Sequence, residues 1–238
     1  MKMFFLNVIE LKAIWRNNRL KNNFIFTGLY FIWDPIRYFV YDFNQNQVLL
    51  LISALFTSLF IIFTFLRLYT ISLEGNYFDL FMTLPNMTTQ YLKSKFMFFA
   101  GFAIFSFLLI IPTLFKDINI LIYNFVTLLY NLGVNSYILL YSTIYNDKKL
   151  DLSNSSIFNT QGIVNVPMNL LLMIVCFGLP GLLFFLLSLF NLSSVGLLLL
   201  ASLGIIGIFM NNYFLKKIGY KLESKKYFLV ENFRKNLK

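Results

Sequence analysis

The sequence predicts an all-α polytopic membrane protein with six transmembrane helices and both ends in the cytoplasm. Three observations carry that prediction. Six apolar stretches, 24–43, 47–66, 96–115, 118–145, 168–190 and 194–215, each reach about 20 residues, the length an α-helix needs to cross roughly 30 Å of hydrocarbon. With the N-terminus inside, 18 of the 20 lysines and arginines fall on the inner side, leaving only Arg37 and Lys116 outside, and that asymmetry orients the chain. The composition is 58% apolar and 19% aromatic with 13% charged residues, far from a soluble average.

Composition also excludes functions. A net charge of +10 would suggest nucleic acid in a soluble protein, but here the cations flank apolar helices, so anionic lipid headgroups are their expected partners and nucleic acid is not. The chain contains no histidine, which removes His-based metal sites and the Ser–His and Cys–His dyads. Its one cysteine, Cys176, lies within the fifth stretch, so no intrachain disulfide can form. There is no phosphate-cradling GxxxxGK[ST] loop, and no cleavable signal peptide is evident. The sequence therefore predicts no catalytic residues, no metal and no cofactor.

Residues 1–22 place Phe4, Phe5, Val8, Ile9, Leu11 and Trp15 at helical spacing, with Lys12, Arg16 and Arg19 on another face. Such a helix lies in the inner headgroup region, rings down. The first span carries Asp34, Pro35 and Arg37. A charge at mid-membrane costs about 2.5–3.5 kcal/mol, but Asp34 and Arg37 are three apart and can pair on one helical face. The second span offers a strip of small, weakly polar residues, Ser53, Ala54, Thr57 and Ser58, where another helix can approach closely.

The loop between spans two and three is cytoplasmic by topology yet rich in rings. Tyr77, Phe78, Leu80, Phe81 and Leu84 form a short amphipathic helix that Pro85 ends. A tight outer turn at Lys116 and Asp117 makes spans three and four an antiparallel hairpin, with Pro112 kinking the end of span three. Span four has the densest internal polarity. Asn124, Thr127, Asn131 and Asn135 follow at steps of three and four, so they share one helical face. That face either lines a substrate path or hydrogen-bonds to neighbouring helices, at about 0.6 kcal/mol per contact. Gly178, Pro180 and Gly181 kink span five, and a short outer turn at 191–194 leads to span six, where Gly204 and Gly207 give a thin surface. The segment 216–238 is a basic, mostly polar cytoplasmic tail, and the whole chain reads as one transmembrane domain.

In order and content these segments resemble the permease subunits of ABC exporters of the second type. ELKAIWRNNRLKNN looks like the leading amphipathic helix of a Bacteroidetes-like subgroup of such permeases. EGNYFDLFMTLPNMTTQYLKSK looks like its loop before span three, with Tyr77-Phe78-Asp79, Leu84-Pro85 and Tyr91-Leu92-Lys93 followed by Lys95. FNTQG at 158–162 and KKYFLVENFRK at 225–235 match its approach to span five and its C-terminal segment. The resemblance implies a bacterial inner-membrane subunit that forms a substrate pathway and couples to a separate P-loop ATPase. The coupling residues it implies are Glu74, Tyr77, Phe78, Asp79, Phe81 and Leu84. Members of the subgroup carry two such halves in one polypeptide, so this chain is expected to assemble with a second copy or a paralogous permease. The alternatives are an ATP-independent scaffold or immunity-type protein and a small secondary carrier. A carrier is disfavoured because the only acids within spans, Asp34 and Asp42, lie toward the outer edge.

Overall fold

A computed structural model describes residues 12, 15–16, 18–41, 46–69, 87–145 and 171–235. Among them the chain is almost entirely helical, without a strand. We number the helices α1 (Asn18–Val40), α2 (Gln47–Tyr69), α3 (Met87–Ile110), α4 (Ile118–Tyr130), α5 (Ser136–Thr143), α6 (Leu179–Leu189), α7 (Ser193–Phe209) and α8 (Asn211–Lys235). A π-turn at Asn131–Asn135 joins α4 to α5, and a second at Ile174–Gly178 precedes α6.

Three helical segments, Thr88–Phe115, Ile118–Thr143 and Leu171–Leu189, are long and apolar enough to cross a membrane. A fourth arises if Ser193–Phe209 and Asn211–Asn232, bent by 65°, count as one. The first predicted span corresponds to α1, whose Asp34, Pro35 and Arg37 dilute its apolar run. The second corresponds to α2, where Gln47–Leu59 is an apolar helix below the spanning length among the described residues.

Ile118–Thr143 is the axis of the bundle: 61% of its most apolar stretch is buried, against 33% for Thr88–Phe115 and 22% for Leu171–Leu189. It packs on α2, α3 and α7. One apolar cluster gathers Tyr91, Leu92, Phe96 and Phe99 of α3 with Leu139 and Leu140 of α5 and Leu215, Ile218 and Leu222 of α8. The other joins Leu50, Leu51, Ala54 and Leu55 of α2 to Tyr123 and Val126 of α4, Phe184 of α6 and Leu200 of α7. The outward sides of α6 and α7, such as Leu182, Leu186, Leu198 and Ile206, are exposed apolar surface, as contact with lipid tails requires.

The predicted α3–α4 hairpin is present. Ile111–Phe115 tightens into a 3₁₀ turn around Pro112, and Asp117 caps α4 by accepting from Asn119 N at 2.8 Å. The α6–α7 turn ends α6 with Leu192 N on Leu187 O at 2.9 Å and Asn191 N on Ser188 O at 3.0 Å. Asn191 takes φ 57°, the left-handed cap position that Asn tolerates better than most side chains.

Where the sequence predicted a span at 194–215 and a basic, mostly polar tail beyond it, the structure differs. α7 stops at Phe209, and after Met210 the chain bends into the 25-residue α8. Leu215, Ile218, Leu222 and Leu229 lie buried on one side of α8, packed on α3 and α5. Lysines crowd the intervening positions, so average polarity concealed an amphipathic period.

α7 meets the axis at glycines. A Cβ built on Gly133 would strike the Gly204 backbone, and one on Gly207 would strike Gly133. The backbones thus touch as only glycine allows. Gly133→Ala and Gly207→Ala are expected to destabilise the protein by about 1–3 kcal/mol, the cost of overpacking, read as a lower melting temperature in detergent. Gly101→Ala, with nothing within 4 Å of its Cβ, should leave stability equal or slightly raised by better helix propensity.

Candidate functional site

The residues singled out in span four are all buried: Asn124 at 3% exposure, Thr127, Asn131 and Asn135 at 0%. Helical spacing puts them on one face, and that face looks toward α1, α2 and the 174–178 turn. Asn124 Nδ2 donates to Ile120 O of its own helix at 2.8 Å, while its Oδ1 accepts from Tyr38 of α1 at 3.3 Å. Thr127 donates to Asn124 O at 3.1 Å, a bond within its own helix. Asn131 Nδ2 donates to Ser58 Oγ at 2.6 Å and to Leu55 O at 3.3 Å, fastening the axis to α2. Asn135 Nδ2 donates to Asn131 Oδ1 at 2.6 Å and to Cys176 O at 3.1 Å.

The last contact has a covalent cause. Pro180 has no N–H to give the carbonyl one turn back, which belongs to Cys176. The helix loosens into the 174–178 π-turn there, and the Asn135 amide, itself at the end of a π-turn, donates to that carbonyl. Two loosened turns on facing segments are thereby joined by a side chain. Asn135 Oδ1 is buried and accepts no hydrogen bond, the one loose end among the amide oxygens of this face.

At the α3–α4 turn end of the bundle the seam becomes ionic. Arg37 Nε lies 2.6 Å from Asp34 Oδ1. Arg37 Nη2 donates to Ser53 O and to Thr57 Oγ1, both at 2.7 Å. Thr57 Oγ1 lies 3.1 Å from Asp34 Oδ1 and from Ser53 O, and gives its single proton to one at a time. Ser53 Oγ donates to Tyr38 OH at 3.1 Å, which connects the ion pair to Asn124. Lys116 closes the same end, its Nζ donating to the carbonyls of Tyr38 at 2.8 Å, Tyr41 at 3.2 Å and Phe39 at 3.3 Å. A cation over the last carbonyls of a helix is favoured both by hydrogen bonding and by the helix dipole.

The structure therefore brings Asp34, Arg37, Asn124 and Thr127 into one hydrogen-bonded network, and Asn131 and Asn135 into a second one on the same helical face. Tyr38 is the member that sequence reasoning missed, because a tyrosine among the rings of 24–43 carries no distinguishing pattern. The coupling residues Glu74, Tyr77, Phe78, Asp79, Phe81 and Leu84 lie outside the described residues, as does Asp42. No cluster of three or more metal-ligating side chains occurs among the described residues.

Apolar helices of membrane-crossing length, joined by buried hydrogen bonds, are compatible with a polytopic α-helical membrane protein. The chain belongs to DUF5687, a family of unknown function, whose profile matches residues 4–236. No curated protein and no solved structure matches the chain.

Removing one member of the ion pair should cost more than removing both. Arg37→Leu leaves a buried carboxylate without its cation and is expected to destabilise the protein by about 3–5 kcal/mol. The Asp34→Leu/Arg37→Leu double variant should recover much of that loss. Asn131→Ala, which removes amide contacts only, should cost no more than about 2 kcal/mol. Unfolding in mixed detergent micelles measures all three.

Proposed function

We propose that this chain is the membrane-spanning subunit of an ATP-driven ABC exporter, with six spans in a bacterial inner membrane and both ends cytoplasmic. The observation that carries the reading is the joint between the two π-turns. Alternating access needs a bundle with two packings of similar energy. Turns 131–135 and 174–178 are loosened helix joined by one side chain, and π-turns recur at functional sites. A shift that gave Asn135 Oδ1 a donor would offset hydrogen bonds broken elsewhere, as a second arrangement requires.

Charge placement supports the orientation. The exposed Lys93 near the start of α3 and Lys225, which lies over the Tyr145 ring at 3.7 Å, mark one end of the bundle, while Lys95 is fully buried over the Tyr91 ring. Arg37 and Lys116, the two exceptions to the inner bias, mark the other, and each is spent on internal hydrogen bonds. They act as structural cations rather than topology signals.

ATP hydrolysis belongs to a separate P-loop subunit that docks on Glu74, Tyr77, Phe78, Asp79, Phe81 and Leu84. The resemblance assigns those residues, and the start of α3 supports their role. Thr88 Oγ1 donates to Glu223 Oε1 at 2.6 Å, and Leu92 and Phe96 sit in the core. A push on the segment before α3 is thus delivered to a rigid anchor and on to the axis. A second copy or a paralogous permease completes the pathway.

Pull-down of the tagged chain from detergent-solubilised native membranes tests this directly. A stoichiometric P-loop ATPase is expected in the eluate, and Phe78→Ala/Phe81→Ala should lose it while still inserting. Retention of the ATPase by that variant would remove the coupling assignment. Its absence from the intact protein would favour an ATP-independent scaffold or carrier.

A further inference from the structure

We propose that α8 is a surface-lying helix whose outer face, Tyr213, Lys217, Tyr220, Lys221, Tyr227 and Phe228, binds the anionic phosphate headgroups of the membrane. Its orientation is fixed from behind. Leu215, Ile218, Leu222 and Leu229 are buried in the bundle, Glu223 holds Thr88, and Lys225 covers the Tyr145 ring. The side facing away is therefore defined rather than free to rotate.

That side has an unusual make-up. Tyr213, Tyr220 and Tyr227 are 58%, 71% and 76% exposed. They stand seven residues apart, a spacing that drifts only about 20° per step around a helix, so the rings form a stripe. Phe228 is exposed beside them, with Lys217 and Lys221 on the same flank. Hydrocarbon would reject those lysines, and water gives no reason for four outward rings. The boundary between the two accepts both, with aromatic rings at headgroup level and ammonium groups on phosphate.

Position agrees with chemistry. α8 begins one residue after the apolar α7 ends, past Met210, and the 65° bend turns its axis far toward the membrane plane. At about 1.5 Å per residue, its 25 residues extend roughly 37 Å along the surface. The helix carries seven lysines and arginines against two glutamates. Anionic lipid is the occupant this imbalance favours, and an acidic partner protein is the competitor the test must separate. The inference requires the membrane setting and does not depend on the exporter reading, so failure to capture an ATPase leaves it intact.

The test places a fluorophore on Tyr220→Cys, with the buried Cys176 changed to alanine, in the full chain reconstituted into vesicles. Phosphatidylcholine vesicles are compared with phosphatidylcholine doped with phosphatidylglycerol, and aqueous acrylamide, an uncharged quencher that the lipid charge does not repel, reports exposure. Shielding that appears with phosphatidylglycerol is expected. Lys217→Gln/Lys221→Gln should reduce the shielded-to-exposed ratio by up to about fivefold per lysine removed. Lys217→Arg/Lys221→Arg should keep it, which guards against a folding defect. Equal acrylamide access in both vesicles would overturn the proposal. So would equal shielding in both, which would mean burial without charge recognition. Shielding that appears only when an added ATPase or other protein binds would overturn it in favour of a protein partner.

Discussion

An amide buried in hydrocarbon has no water to turn to, so Asn124, Asn131 and Asn135 dictate where their neighbours can lie. Each must meet a partner on another helix or bond back to its own. Asn131 draws in α2 through Ser58 and the Leu55 carbonyl, and Asn135 draws in the 174–178 turn. On the far side of the same helix, Gly133 admits α7 to backbone contact. Dispersion and these few directed bonds must hold the bundle, because lipid tails supply no hydrophobic force between helices. The placement of Ile118–Thr143 at the axis follows from its having both the densest polarity and a thin glycine face.

The ion pair obeys the same rule at higher stakes. Asp34 and Arg37 bond not only to each other but to Thr57 and Ser53 of α2. A helix too polar to sit comfortably in lipid becomes acceptable once its charges face protein. The weakness of 24–43 as an apolar run and its tight fastening to α2 have the same origin.

Much of this was legible in the residues. Steps of three and four placed Asn124 to Asn135 on one face, and the strip from Ser53 to Ser58 is the surface that face meets. Pro112 and Asp117 marked the α3–α4 turn because ring closure and side-chain capping are local effects. The end of span six was not legible. Leu215, Ile218, Leu222 and Leu229 keep a helical period through a run of lysines, and only packing on α3 and α5 shows which signal prevails. Tyr38 escaped notice because its role depends on Asn124, 86 residues away, and the π-turn before Pro180 needed a second helix to reveal why its carbonyl stays satisfied.

Lys116 spans the carbonyls at the end of α1 from a turn that is made far later in the chain. Asn124, which receives the Tyr38 hydroxyl, comes later still. During synthesis α1 therefore leaves the ribosome before the groups that complete it. Its carboxylate and guanidinium have only each other and the Tyr30 and Tyr38 hydroxyls of their own helix until residues 53–57 follow, and its C-terminal carbonyls wait for the α3–α4 turn. Order of synthesis runs against order of stabilisation, so α1 must linger at the insertion machinery or the membrane surface until the rest of the bundle arrives to complete it.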